Sequence, residues 1–360
     1  MKSRLPVLRQ GLTGMTSRNA AACDIRETNH QTANTEKTMN KFSLTAVNII
    51  FLLAITLCIA ASPSAVTAGE KLIVFHAGSL SVPFLRAAAA FERLNPGVTV
   101  EREAAGSRTC ARKITDLNRP CDVMASADYS VIDNLLFPNY AQWDIQFATN
   151  EMAIMFRPDS PGANTINGKN WFSVLLKKGV EYGHSDPNSD PCGYRTMLGW
   201  QLAEKFYNRP GLYDRLKKGC PQKNVRPKET DLIALLEAGE IDYLFIYRSV
   251  CIQHKMPYVT LPAQINLGSF AYADYYRQAS VEISGKKPGT YVVKQGMPMV
   301  YGITVIKNAP HRAMAEKFIA FILGPAGRKI MTQSGQQPLV PAMATGNADA
   351  LPVSLKGLLQ

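Results

Sequence analysis

Lys71 to Ser81, KLIVFHAGSLS, is the stretch whose reading decides the fold of this 360-residue chain. Leu72 to Phe75 is a short apolar run with β-branched content and the length of a strand. It ends in the small residues Ala77-Gly78-Ser79, and a helical pattern follows over Val82 to Leu94. Pro83 suits a first helical turn, and Ser81 is placed to cap it. Free N–H groups at such a helix start, backed by the helix dipole, form a seat for an anion. Three later stretches repeat the pattern. Ala104-Ala-Gly-Ser107 follows a strand at Val98 to Glu103 and precedes a helix at Arg108 to Leu117, with Ser107 as its expected N-cap. Asp190-Pro-Cys-Gly193 precedes a helix at Tyr194 to Tyr207, and Pro227-Lys-Glu229-Thr-Asp231 opens one at Leu232 to Ala238.

Working outward, 46% hydrophobic and 19% charged residues describe an ordinary globular chain with room for two cores. The N-terminus differs. Met39 opens a segment with Lys41, an apolar run from Leu44 to Ala61 and the small-residue exit Val66-Thr-Ala68, the plan of a secretory signal cleaved after Ala68. Residues 39–68 are therefore assigned to a signal peptide and 1–38 to a non-folding extension; a retained membrane anchor is the alternative for the apolar run. These two segments carry three and one of the formal +12 charges, which leaves +8 for the remainder. A cationic surface can favour anionic ligands, membranes or nucleic acid, and with its basic residues scattered a generally basic, solvated surface is the plainer reading. No Lys/Arg run with interleaved aromatics marks a nucleic-acid groove.

Five cysteines fall beyond the signal: Cys110, Cys121, Cys192, Cys220 and Cys251. Cys110 with Cys121 and Cys192 with Cys220 are conceivable pairs in an exported chain, and an odd count leaves one thiol over. No CxxC or Cys/His spacing of a zinc site occurs, so a structural metal is not expected.

Strands alternate with helices up to Phe147 to Phe156, read as one long extended segment, which argues for a parallel α/β sheet. Its polar exit marks a first crossing to a second lobe, and Pro298 to Ile306 reads as the returning strand. The expected organisation is α/β with two lobes, each a mostly parallel sheet flanked by helices. Residues 70–150 with 303–360 form one lobe and 151–302 the other. A two-segment hinge would let them close over a ligand.

The pieces FHAGSLSVPF, EAAGSRTCARKITDL, CDVMASADYSVID, NSDPCGYR, LLEAGEIDYLFIYRSV with Gln253-His254, and NAPHRAMAEKFIAFILGPAGRKIM run in order from about residue 71 to 340. On them the chain resembles the periplasmic tungstate/molybdate-binding proteins of ABC transporters, the archaeal-type branch of the periplasmic molybdate-binding protein family. The resemblance implies a type II periplasmic binding fold, an extracytoplasmic location and no catalysis. It also implies a membrane permease driven by a cytosolic ATPase as partner, and a monomer with no cofactor beyond the transported oxyanion. Ser79 and Ser107 correspond to hydroxyl donors, Tyr247 to a phenolic donor, and the backbone near Cys192 or Gly193 and near Glu229 to N–H donors. Asp190 and Glu229 correspond to carboxylates that ligate tungsten or molybdenum itself. Such centres accept hard oxygen donors.

Other readings of these residues stay open at this stage. Ser79 and Ser107 suit helix caps, Asp190 suits a turn before proline with Asp186 in its place as ligand, and Glu229 suits a first helical turn with Glu237 in reserve. Arg108 either adds charge to the pocket or faces solvent. Sulfate, phosphate or another tetrahedral oxyanion is the alternative cargo. An exported enzyme using Cys192 as nucleophile is a further alternative, although neither GxSxG nor HExxH occurs.

Overall fold

The computed structural model describes residues 69–359, so the extension assigned to 1–38 and the signal assigned to 39–68 lie outside the described residues. In chain order the elements that matter for the site begin with β1 (Glu70–Ala77), α1 (Ser81–Leu94), β2 (Val98–Ala105), α2 (Ser107–Thr115), β3 (Val123–Ser126) and the short turn α3 (Tyr129–Val131). Next come β4 (Trp143–Thr149), β5 (Met152–Phe156), β6 (Tyr182–Ser185), α4 (Pro191–Phe206), β7 (Val225–Arg226), α5 (Asp231–Glu237), β8 (Tyr243–Tyr247), α6 (Arg248–His254) and β9 (Tyr258–Thr260). A hairpin, β10 (Ser280–Ser284) with β11 (Tyr291–Gln295), precedes β12 (Val300–Val305), α7 (Arg312–Leu323), α8 (Pro325–Gln333) and β13 (Gln337–Gly346).

Two sheets carry these elements in a two-lobed α/β arrangement. The first has the order β13-β4-β12-β3-β1-β2, the second β7-β6-β8-β5-β9, and β10-β11 stands as a separate two-stranded ribbon. Strand β1 pairs in parallel with both β2 and β3, and β6 pairs in parallel with β7 and β8. The chain passes from the first sheet to the second between Thr149 and Met152 and returns at Val300, and the strands on either side of these crossings, β4, β5 and β12, pair antiparallel with their neighbours, so both sheets are mixed rather than mostly parallel as expected. Among the described residues no helix is long and apolar enough to cross a membrane.

Several local expectations are corrected by the hydrogen bonds. The single extended segment Phe147 to Phe156 is two strands in two sheets, because Asn150 interrupts the ladder. Its Oδ1 accepts from the Glu151 and Ser249 amides, and its Nδ2 donates to Ser249 Oγ and the Tyr301 hydroxyl. Ser81 and Ser107 do not cap their helices; each is the first helical residue, after Leu80 and Gly106, and makes no capping bond. Asp190 is a true N-cap, accepting from the Cys192 amide at 3.1 Å with Pro191 in the first turn. Among the described residues the five cysteines, Cys110, Cys121, Cys192, Cys220 and Cys251, are free and buried, so neither conceivable disulfide is formed.

Burial holds α1 to the first sheet and to α7. Phe84 and Phe91 on the inner face of α1 meet the fully buried Phe318 edge-on, at ring-centre distances of 5.9 and 5.2 Å. This contact fixes the helix that starts just beyond Gly78 and Ser79. Phe318→Ala is expected to cost about 3–5 kcal/mol, read as a lowered urea midpoint with an unchanged slope.

Candidate functional site

Two of the small-residue loops are shaped by what crosses over them. A Cβ on Gly78 would lie 2.7 and 2.8 Å from the carboxylate oxygens of Glu229, and one on Gly106 would lie 2.4 Å from the Ser189 carbonyl oxygen and 2.8 Å from that of Pro227. Gly106 has φ of −56°, which any residue adopts, so glycine is needed there for the approach alone. The loops of the first sheet are therefore closed directly against those of the second. The Thr109 amide, in the first turn of α2, completes the contact by donating to the Ser189 carbonyl at 3.2 Å.

Within this closed cleft Ser79, Ser107, Asp190, Cys192, Glu229 and Tyr247 are all buried. Asp190 is held by amides: Oδ1 accepts from Cys192 N and Oδ2 from Glu229 N, at 3.1 and 2.9 Å. Glu229 has no such support. Both its carboxylate oxygens are buried without a donor, and so is Ser185 Oγ. Burial raises the pKa of Asp190; burial and then the charge of Asp190 push that of Glu229 well above the ordinary carboxylate value. Two adjoining buried carboxylates repel by an amount on the order of a few kcal/mol. A cation-like centre or a proton must sit with them.

Three hydroxyls in the cleft already accept a bond. Ser107 Oγ accepts from the Ala127 amide at 3.0 Å, Ser79 Oγ from the Tyr301 hydroxyl at 3.0 Å, and the Tyr247 hydroxyl from Arg195 at 3.0 Å. Tyr301 is in turn supplied by Asn150 at 2.9 Å. A hydroxyl has one proton, and when its lone pair is taken that proton is left for another acceptor. Three O–H donors are thus wired to serve an anion, each backed by a donor of its own. Gln336 and Gln253 fix the loop from behind by donating to the Ser79 carbonyl at 3.0 and 3.3 Å.

The remaining candidates separate by burial and partners. Asp186 is spent on its own turn, accepting from the Asn188 amide and Ser189 Oγ, and Glu237 is exposed at the end of α5. Arg108 is neither in the pocket nor in solvent: it is buried and its Nε donates to the Asn188 carbonyl at 3.0 Å. The Cys192 and Glu229 amides, expected to face the ligand, are engaged by Asp190, and the Gly193 amide by the Asp190 carbonyl. Cys192 Sγ is directed to the Phe245 carbonyl at 3.6 Å, and burial followed by the charges of Asp190 and Glu229 pushes its thiol well up. That is the reverse of what activates a nucleophile. Sequence reasoning gave no role to Arg195, Tyr301 or Asn150. The only signal was the arginine of DPCGYR, directly after the capped turn.

A profile of the bacterial extracellular solute-binding proteins matches residues 72–337. A solute-binding protein of Petrotoga mobilis is 55% identical over 290 residues, which cover 81% of this chain and 90% of that one. The molybdate/tungstate-binding protein WtpA of Thermococcus kodakarensis is 40% identical over 352 residues, 89% of this chain and 98% of its own. Among solved structures, the periplasmic molybdate-binding protein of Azotobacter vinelandii superposes with a TM-score of 0.55 at 19% identity, covering 74% of this chain and 98% of that one. The sulfate-binding protein SubI of Mycobacterium tuberculosis gives 0.56 at 15% identity, with 76% and 88% covered. These two likenesses bear on the fold, which is that of type II periplasmic binding proteins.

The bare carboxylate has a measurable cost in the ligand-free protein. Glu229 has a raised folded pKa, so the folded state holds an extra proton above the unfolded value near 4.5, and that contribution is lost as pH rises toward the folded value. Glu229→Gln is expected to raise the melting temperature of the oxyanion-free protein at pH 7 and to flatten its fall between pH 5 and 8. A variant that melts lower at every pH would show that the acid is not a burden.

Proposed function

We propose that this chain, which belongs to the family of bacterial extracellular solute-binding proteins, captures tungstate or molybdate between its two lobes for uptake through an ABC transporter. The observation that carries this reading is the Glu229 carboxylate, buried without a donor beside Asp190 and a set of anion-directed hydroxyls. A plain tetrahedral anion would be repelled by both acids. Tungsten(VI) and molybdenum(VI) can add carboxylate oxygens to their own four, whereas the sulfur of sulfate does not, and hard oxygen donors suit these centres.

In this proposal Ser79, Ser107 and Tyr247 donate to the oxyanion, and Asp190 and Glu229 bring the metal centre to six-coordination. Cys192 contributes through its amide, which fixes the Asp190 carboxylate, and its sulfur plays no part. The oxyanion is cargo, and no resident cofactor is invoked. The protein would act as a monomer outside the cytoplasm and present its closed form to a membrane permease with a cytosolic ATPase. The 40% identity to WtpA supports the choice of cargo.

Phosphate is the second reading with an observation of its own, since an acceptor-only Glu229 could take the proton of hydrogen phosphate. Titration calorimetry with tungstate, molybdate, sulfate and phosphate separates the two. Tungstate and molybdate are expected to bind at least about 100-fold more tightly than the others, about 2.7 kcal/mol, and Glu229→Gln is expected to erase most of that gap. Tight phosphate binding lost in Glu229→Gln would establish the rival cargo. Cys192→Ser is expected to keep tungstate affinity within about threefold, because the serine retains the amide that Asp190 uses; a collapse of affinity would return the sulfur to the site.

A further inference from the structure

Asp128 stands apart from the oxyanion ring, two residues beyond β3 of the first sheet, and divides its two oxygens between different tasks. Oδ1 is spent locally, capping α3 through the Ser130 amide at 3.0 Å and the Ser130 hydroxyl at 2.9 Å. Oδ2 receives three groups from beyond the first sheet: Lys294 Nζ of the hairpin at 2.8 Å, Arg195 Nη2 at 3.7 Å, and the Tyr194 hydroxyl. Asp128 and Arg195 are buried, and Lys294 is nearly so. Arg195 also donates to the Ala127 carbonyl at 2.7 Å and to the Tyr247 hydroxyl, so one guanidinium spans both lobes and the donor ring.

The hairpin is fastened to the same side elsewhere. Arg112 donates to the Gly285 carbonyl at 2.8 Å, Lys286 to the Phe137 carbonyl at 3.0 Å, and Arg108 to the Ser284 carbonyl. A charge removed from water without its partner is far more costly than one that meets it. Closure is therefore admissible only in the register where Oδ2 receives all three partners.

We propose that Asp128, with Lys294 and Arg195, is a charge latch that holds the lobes shut and sets how long the oxyanion stays bound, without touching it. The latch rests on the cleft reading above. Asp128→Asn keeps an Oδ1 for the helix cap and removes the charge; Lys294→Met removes the hairpin cation while keeping an apolar stem. Both act as positioning changes, so the readout is lobe closure and release rate rather than stability alone.

The test pairs spin labels on cysteines introduced at the exposed Arg93 and Lys218 in a Cys23→Ser, Cys58→Ser background, the five thiols of the described residues being buried. Interlobe distances are taken with and without tungstate, and stopped-flow gives tungstate release. Gly106→Ala supplies the open reference, because its methyl would collide with the Ser189 carbonyl. Either latch variant is expected to cut the closed fraction of the oxyanion-free protein at least about threefold and to speed tungstate release at least about 30-fold, with entry little changed. The double variant should be no worse than the more severe single. Unchanged distances in both variants, strictly additive losses, or a wild type that never leaves the open reference would each overturn the latch. Should the wild type close yet bind no tungstate, the distance arm still decides the latch, and only the choice of cargo falls.

Discussion

The rest of the structure depends on one electrostatic constraint: two carboxyl groups, Asp190 and Glu229, are buried against each other, and only one of them is provided with donors. Asp190 is neutralised in part by two backbone amides and the start of a helix. Neither oxygen of Glu229 has a hydrogen-bond partner, and both lie close against Gly78. Leaving a carboxylate in that state is a cost the fold does not relieve by itself. The closed cleft is in this sense incomplete without a positively polarised centre, and a high-valent metal dressed in oxygens is one that also needs hydrogen-bond donors around its rim.

Those donors are arranged by groups that stand behind them. Asn150, at the crossing between the sheets, supplies Tyr301, which supplies Ser79; a backbone amide supplies Ser107; Arg195 supplies Tyr247. Because Asn150 also binds Ser249 at the start of α6, the segment that crosses between sheets is tied to the donor ring. Arg195 then links that ring to Asp128 and the hairpin. In the proposed assignment ligand grip and lobe closure share residues, which gives a physical route by which a filled cleft is a shut one.

Much of this was legible in the sequence, and the reasons are local. KLIVFHAGSLS, with its apolar run and small-residue exit, reads as strand, loop and helix because each signal lies within a few residues of the next. The Asp190-Pro191 pair announces a capped helix in the same way. What sequence obscured is where hydrogen bonds come from distant segments. Ser107 looks like a cap, but its oxygen is claimed by the amide of Ala127, twenty residues on. Phe147 to Phe156 looks like one strand because every residue in it but Asn150 and Glu151 tolerates extension; the break is made by bonds to residues some hundred positions away. Arg195 reads as an ordinary helix residue until the fold sets Asp128 and Tyr247 beside it.

The central claim, direct ligation of the metal by two acids, is tested most directly by X-ray absorption at the tungsten edge of the loaded protein, alongside the Asp190→Asn, Glu229→Gln double variant. Six oxygen neighbours in the wild type, falling toward four in the variant, are expected if the carboxylates complete the coordination. Four equivalent oxygens in both proteins would contradict it.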